Sequence, residues 1–285
     1  MAIDNHIKNP VEWSAANVVD RARALGRVAR ALRLPAESTE LPAVREIDID
    51  DIRDAIKRGL DDLAAFRTDA LSVAIIYPLM GIVLAVAVAN YDLLPLVFPL
   101  ASGFALIGPI AGIGLYVLSR KREREAAGET AVETPPAYGS IAVVGLLLFA
   151  VFVAWLAIAY WIFLATLGPE APESIGAFIR DVFTTGAGWT MIVVGVGVGF
   201  LFAVAALAIG VVSFPLMLDR QVGPVTAIRT SVNAVVKNPG AMAIWGAIVA
   251  GGLVIGSAPA LVGLVIVFPL LGHSTWHLYR KLVSR

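Results

Sequence analysis

Apolar runs of roughly 17 to 25 residues, the length a helix needs to cross the hydrocarbon of a bilayer, recur along this chain. Backbone amides cannot stay unpaired in lipid, so each run is expected to be a helix. Six are predicted: about Leu71 to Asn90, Leu94 to Ser119, Ile141 to Leu167, Trp189 to Val212, Pro239 to Gly256 and Pro259 to Tyr279. Composition agrees, since 58% of residues are hydrophobic and 15% charged, against about 25% charged in soluble domains. The class is an all-α integral membrane protein. The opening MAIDNHIKNPVEWS has no apolar run after a basic stretch, so no cleavable leader is expected and the first span serves as insertion signal.

Charge divides the chain in two. Half of its 22 Lys and Arg precede residue 71, which gives a polar N-terminal helical region, 1–70, and a membrane domain, 71–285. Between the spans the remainder fall at Arg120 to Arg124, at Arg220, Arg229 and Lys237, and at Arg280, Lys281 and Arg285, with Arg180 alone on the other side. That alternating division of 21 to one predicts that the N-terminus and C-terminus are both cytoplasmic. The net charge of zero and absence of cysteine give no sign of a nucleic-acid partner, a thiolate metal site or a thiol nucleophile.

In the N-terminal region, Asn9-Pro10 opens an amphipathic basic helix reaching about Leu34, and Pro35 to Pro42 is a linker. A second helix is capped near Asp48 or Asp50, with Ile52, Ile56, Leu60 and Leu63 as its buried side. Asp50-Asp51 and Asp61-Asp62 lack the spacing of a calcium loop and read as a solvated charged face. Between spans three and four a short surface helix is expected around Ile175 to Val182. Trp155, Tyr160, Trp161, Trp189, Trp276 and Tyr279 are assigned to interfacial belts.

The most distinctive stretch is Ser213 to Gly240, SFPLMLDRQVGPVTAIRTSVNAVVKNPG, the one polar interlude of the C-terminal half. Pro224 to Lys237 is predicted as an amphipathic helix on the cytoplasmic leaflet. Val225, Ile228, Val232, Val235 and Val236 form one face, and Thr226, Arg229, Thr230, Asn233 and Lys237 the other. His273 and His277 lie four apart on one face of span six and share the cytoplasmic side with Asp219 and Arg220. These four form the candidate polar patch. Interfacial histidines bonded to neighbours are the plainer reading of the pair, zinc or copper needing ligands from carboxylates as well. No catalytic, metal or cofactor residues are assigned. Gly195 and Gly199, Gly108 and Gly112, and Gly252 and Gly256 mark close helix contacts.

NPVEW, VREIDIDDIRDAIKRGLDDLAAFRTD, YDLLPLVFPLASGFALIGPIAGIGLY, SFPLMLDRQVG, TSVNAVVKNPGAMAIWG and GHSTWHLYRKLV together resemble the proteobacterial integral membrane proteins of domain-of-unknown-function family 2189. The resemblance implies a bacterial inner-membrane protein without an assigned activity, and it transfers no catalytic residue. The favoured function is a non-enzymatic scaffold or accessory factor for membrane complexes or envelope homeostasis. A small-solute transporter or channel and a metal-binding or redox-associated component are the alternatives. The expected partners are the lipid bilayer, anionic lipid at the cytoplasmic surface, and a membrane protein or a second copy of the chain.

Overall fold

Apolar helices with a charged cluster at one end make up the computed structural model. It describes residues 33–37, 40–65, 78–79, 81–82, 85–86, 91–106, 108–128, 135–170, 172–259 and 261–284. The amphipathic helix expected from Asn9 and most of the first span lie outside the described residues. The elements are α1 (Ile49–Ala65), a 3-10 turn (Tyr91–Leu96), α2 (Val97–Leu106), α3 (Gly108–Ala111), α4 (Ile113–Ala126) and α5 (Tyr138–Thr166). They continue with α6 (Ile175–Thr184), α7 (Gly186–Gly210), α8 (Ser213–Asp219), α9 (Pro224–Lys237), α10 (Pro239–Ser257) and α11 (Leu264–Leu282). Among the described residues there is no named strand, only an isolated bridge between Val44 and Val283.

Among the described residues three helical stretches are long and apolar enough to cross a membrane: Tyr138–Thr166, Gly186–Asp219 and Pro239–Ser257. Only 6% of the apolar window of the second is buried within the protein. Leu146, Val193, Phe200, Leu201, Val254 and Ile255 stand exposed. Side chains of that kind, covering whole helix faces, need a hydrocarbon solvent. The chain is an integral membrane protein.

Several expectations change in detail. The second span is not one helix: Pro95, Pro99 and Pro109 each remove an amide donor, and the chain passes through a 3-10 turn and three helical pieces between Tyr91 and Ala126. Its apolar part, Leu93–Gly103, falls short of a full crossing. The last helix starts at Leu264 rather than Pro259, because the connection includes Leu261 in the left-handed region (φ 68°). There Gly256 and Gly263 meet backbone to backbone, a Cβ on Gly263 falling 2.8 Å from the Gly256 carbonyl oxygen. Gly252 packs against Val267 and Leu271, and Gly199 against the Trp155 ring, whereas Gly195 faces open space.

Trp155 and Trp276 leave the aromatic belt, being 2% and 0% exposed. Trp155 Nε1 donates to the Pro99 carbonyl at 3.0 Å, satisfying an acceptor in the interrupted segment. Tyr160, Trp161 and Trp189 do stand exposed, near the end of α5 and the start of α7. The surface helix predicted there is α6. Ser174 caps it by accepting from the Ala177 amide at 3.1 Å, and Thr185 caps α7 by accepting from the Gly188 amide at 3.0 Å.

Contacts gather α1, the ends of α4 and α11, and α8 and α9 at one end of the bundle. Helix α5 starts there too: the Ala137 amide donates to the Met217 carbonyl at 2.9 Å and Ser140 Oγ to the Val222 carbonyl at 2.8 Å. Ser213 through Leu218 of the polar interlude are buried. So the interlude begins as core and first reaches the surface at Gln221, just before α9.

Candidate functional site at the charged end

Helix α1 begins where Asp48 Oδ1 accepts from the amides of Asp50 and Asp51 at 2.9 and 3.0 Å. Its buried residues are Ile52, Ala55, Gly59 and Asp62. This corrects the predicted stripe: Leu60 is 48% exposed, while Ile56 and Leu63 are half-buried. The small residues decide the rotation. A Cβ on Gly59 would lie 2.2 Å from Ser274 Oγ and 2.8 Å from the Ser274 amide nitrogen, so glycine lets α1 lie directly on α11. The two run antiparallel, with Lys281 level with Asp51 and Asp54, and His273 and His277 level with Asp62.

Asp62 therefore is no part of a solvated face. Its Oδ2 accepts from Ser119 Oγ at 2.5 Å and His277 Nε2 at 2.8 Å, and its Oδ1 from Arg122 Nη1 at 2.7 Å. Burial pushes this carboxyl up, but the hydrogen bonds from His277 and Ser119, then the His277 charge and the bond from Arg122, hold it below its ordinary value. Ser119, its hydroxyl hydrogen committed to Asp62, accepts from His273 Nδ1 at 2.8 Å. Asp62, Ser119 and His273 thus form one buried chain that ties α1, α4 and α11 together.

The direction of those bonds limits the chemistry. A serine nucleophile must give its proton to a base, yet Ser119 receives a hydrogen from the imidazole and faces a carboxylate within the core. His277 points its Nε2 hydrogen at Asp62, so that nitrogen offers no lone pair to a metal. Among the described residues no three His, Cys, Asp or Glu converge as a metal-ligand group.

Asp219 and Arg220 belong to a second network on another side of α11. Asp219 Oδ2 accepts from Tyr279 Oη at 2.7 Å and Arg280 Nη1 at 3.1 Å. The Arg280 guanidinium also donates to Glu123 Oε1, from Nε at 3.0 Å, and Glu123 Oε2 accepts from Trp276 Nε1 at 3.1 Å. Arg220 Nη2 donates to the Ser284 carbonyl. The four predicted patch residues share one end of the fold but split into a histidine network and an arginine network. Sequence reasoning missed Asp62, Ser119, Glu123 and Tyr279; the small-residue register Ala55, Gly59, Asp62 is the signal that could have found the first.

A strap of residues 33–37 and 40–47 completes this end. Glu37 accepts from the Val225 amide at 3.1 Å and, through Oε2, from the Thr226 amide and hydroxyl at 2.8 and 2.7 Å. It caps α9 from outside, over Gly223, where a Cβ would fall 2.3 Å from the carboxylate. Burial raises the Glu37 carboxyl and the Thr226 and Val225 hydrogen bonds outweigh it, leaving the group below its ordinary value. At the other end of α9, Asn238 Oδ1 accepts from the Ile47 amide at 2.8 Å and Lys237 Nζ donates to the Val44 carbonyl at 2.9 Å. The face of α9 turned to the protein carries Thr226, Ala227, Thr230, Ser231 and Ala234. Val225, Val232 and Val236 face outward beside Arg229, Asn233 and Lys237.

Helices α2 to α8 fall within residues 97–219. That stretch matches domain-of-unknown-function family 2189, whose description is "Predicted integral membrane protein". The match covers less than half of the 285 residues, leaving α1, α9, α10 and α11 beyond it. No curated protein matches the chain, and no solved structure does. Family 2189 thus supports the membrane class through two of the three helices whose exposed apolar faces require lipid, α10 lying outside the match.

Proposed function

We propose that this integral membrane protein is a non-enzymatic scaffold or accessory factor for membrane complexes or envelope homeostasis. One observation carries the reading: the inward-facing carboxylates and hydroxyls of the charged end are bonded into the fold. Asp62, Ser119, Glu123, Asp219 and Tyr279 all hold helices in place, and the same bonds that fix them leave no aligned nucleophile and base. A rigid charged platform on a lipid-embedded bundle suits the docking of a membrane-protein partner or a second copy of the chain.

The finer form of the proposal is a six-span topology in the inner membrane of a Gram-negative bacterium, with both termini and the 1–70 region cytoplasmic. It is supported by the 21-to-one division of Lys and Arg and by the meeting of α1, α8, α9 and the ends of α4 and α11 at one pole. Anionic lipid suits the outward face of α9, where valines adjoin Arg229 and Lys237.

Gentle purification of the full chain, with identification of co-purifying proteins, lipids and metals, tests the role. A reproducible protein partner retained in stoichiometric amount is the expected result. Solute flux through reconstituted protein would overturn it in favour of a transporter. A metal lost on replacing His273 and His277 would do so in favour of a redox-associated component.

A further inference from the structure

Beside the Asp62 network lies an open groove of about 570 Å³, within the size range of small-molecule sites. Four elements converge on it. The strap brings Arg45, α1 brings Arg58, α4 brings Arg122, and α11 brings Arg280 and Lys281. The lining carboxylates are fewer: Asp61, Asp62 and Glu123. Two of these are turned inward and already engaged, Asp62 by Ser119, His277 and Arg122, and Glu123 by Trp276 and Arg280. Lys281 and Arg58 meet at a single oxygen, Asp54 Oδ2, each at 2.9 Å. Hydrogen bonds from Lys281, partly opposed by burial and then reinforced by Arg58, hold the Asp54 carboxyl below its ordinary value. Arg58 uses only its Nε in that pair, which leaves both Nη nitrogens for a further acceptor.

Arg45 decides the sign of the site. Its backbone is locked by the amide's bond to the Leu282 carbonyl at 2.8 Å, so the side chain is delivered to the groove by a fixed strap. Among the described residues its guanidinium has no ion pair. Arg122 is spent on Asp62, Arg280 on Glu123 and Asp219, and Lys281 on Asp51 and Asp54, so the groups open to a ligand are the Arg45 guanidinium and the Arg58 Nη nitrogens, two forks that suit an anion with several acceptor oxygens. Arginine forks suit the oxygens of a phosphoryl group.

The geometry points to a binding site for a phosphate-bearing anion in this groove, seated by Arg45 and Arg58 with Lys281 and Arg122 behind them. Lipid headgroups and soluble phosphates share that chemistry. The inference stands on the groove and not on the scaffold reading, so failure to bind leaves that reading untouched.

The test uses the full chain in a neutral detergent, titrated by calorimetry with two probes. Short-chain phosphatidylglycerol represents a lipid headgroup, and inorganic pyrophosphate a soluble phosphate. Saturable binding of the lipid alone assigns the groove to a headgroup, binding of pyrophosphate alone to a soluble ligand, and either supports the site. Arg45 and Arg58 are exposed, so the double variant R45E/R58E keeps the fold, which its melting temperature checks. That variant weakens binding by at least about tenfold. The control R53E changes a cation on α1 that is 75% exposed and outside the groove, and it leaves binding unchanged. Absence of saturable binding by both probes, or equal loss in R53E and R45E/R58E, overturns the proposal.

Discussion

Asp62 concentrates the energetics of the charged end in one side chain, because three donors from α4 and α11 meet on its two oxygens. The variant D62N keeps the shape and removes the charge, leaving one neutral amide oxygen for three donors and setting an NH2 group against at least one of them. A hydrogen bond to a charged group contributes about 2 kcal/mol, and a loss of about that size is expected in thermal unfolding of the detergent-solubilised protein. The pH dependence has a definite sign. The native value of Asp62 lies below its unfolded value, so its stabilisation is fully present above the unfolded value and is lost as pH falls through the native one. The gap in melting temperature between the natural protein and D62N therefore narrows in acid, and a gap that widens there would show that Asp62 is not held ionised. None of this was visible in an Asp-Asp doublet read alone. Burial of Asp62 follows from Gly59 admitting Ser274 to van der Waals contact, a tertiary fact that the heptad-like leucines of α1 conceal.

At the scale of elements, α9 shows what a sequence reveals and what it hides. Gly223-Pro224 and Asn238-Pro239 mark its two ends, and the helix runs from Pro224 to Lys237 as those residues predict. Its orientation was not legible, because a valine face turns inward in water and outward in lipid, and period alone does not say which. Here the small side of Ala227, Ser231 and Ala234 packs inward and Ser231 Oγ accepts from the Val212 amide at 3.1 Å. The external cap was equally hidden, since Glu37 lies far from Val225 in sequence. Replacing Glu37 by Ala removes acceptors for two amides and one hydroxyl and costs about 1 kcal/mol, as the loss of an N-cap does. Limited proteolysis then cuts faster in the strap than in the natural protein. An unchanged cleavage rate there would mean that the strap is held by its bonds to Lys237, Asn238 and Leu282 without Glu37.

For the whole molecule, the apolar helices were legible because lipid imposes length and composition on each one separately. Interruptions were less so: Pro99 and Pro109 allow a kinked span or a broken one, and the break is observed where Trp155 Nε1 takes up the Pro99 carbonyl. The order of ends constrains topology further. Pro99 lies beside Trp155, Gly103 beside Phe152 and Gly145 beside Ile110, so the segment from α2 to α4 runs antiparallel to α5. It reaches the charged end at Ser119, where α1 also ends at the level of Asp62. The six-span proposal places a pass beginning near Leu71 between the end of α1 and the start of α2. Reporter fusions measure this. With a phosphatase active only after export, fusions after Arg285 and in the loop following Ala126 are expected to be inactive, and one inserted near Gly168 active. Activity at the C-terminal fusion would reverse the parity of the bundle and remove the charged pole from the cytoplasm.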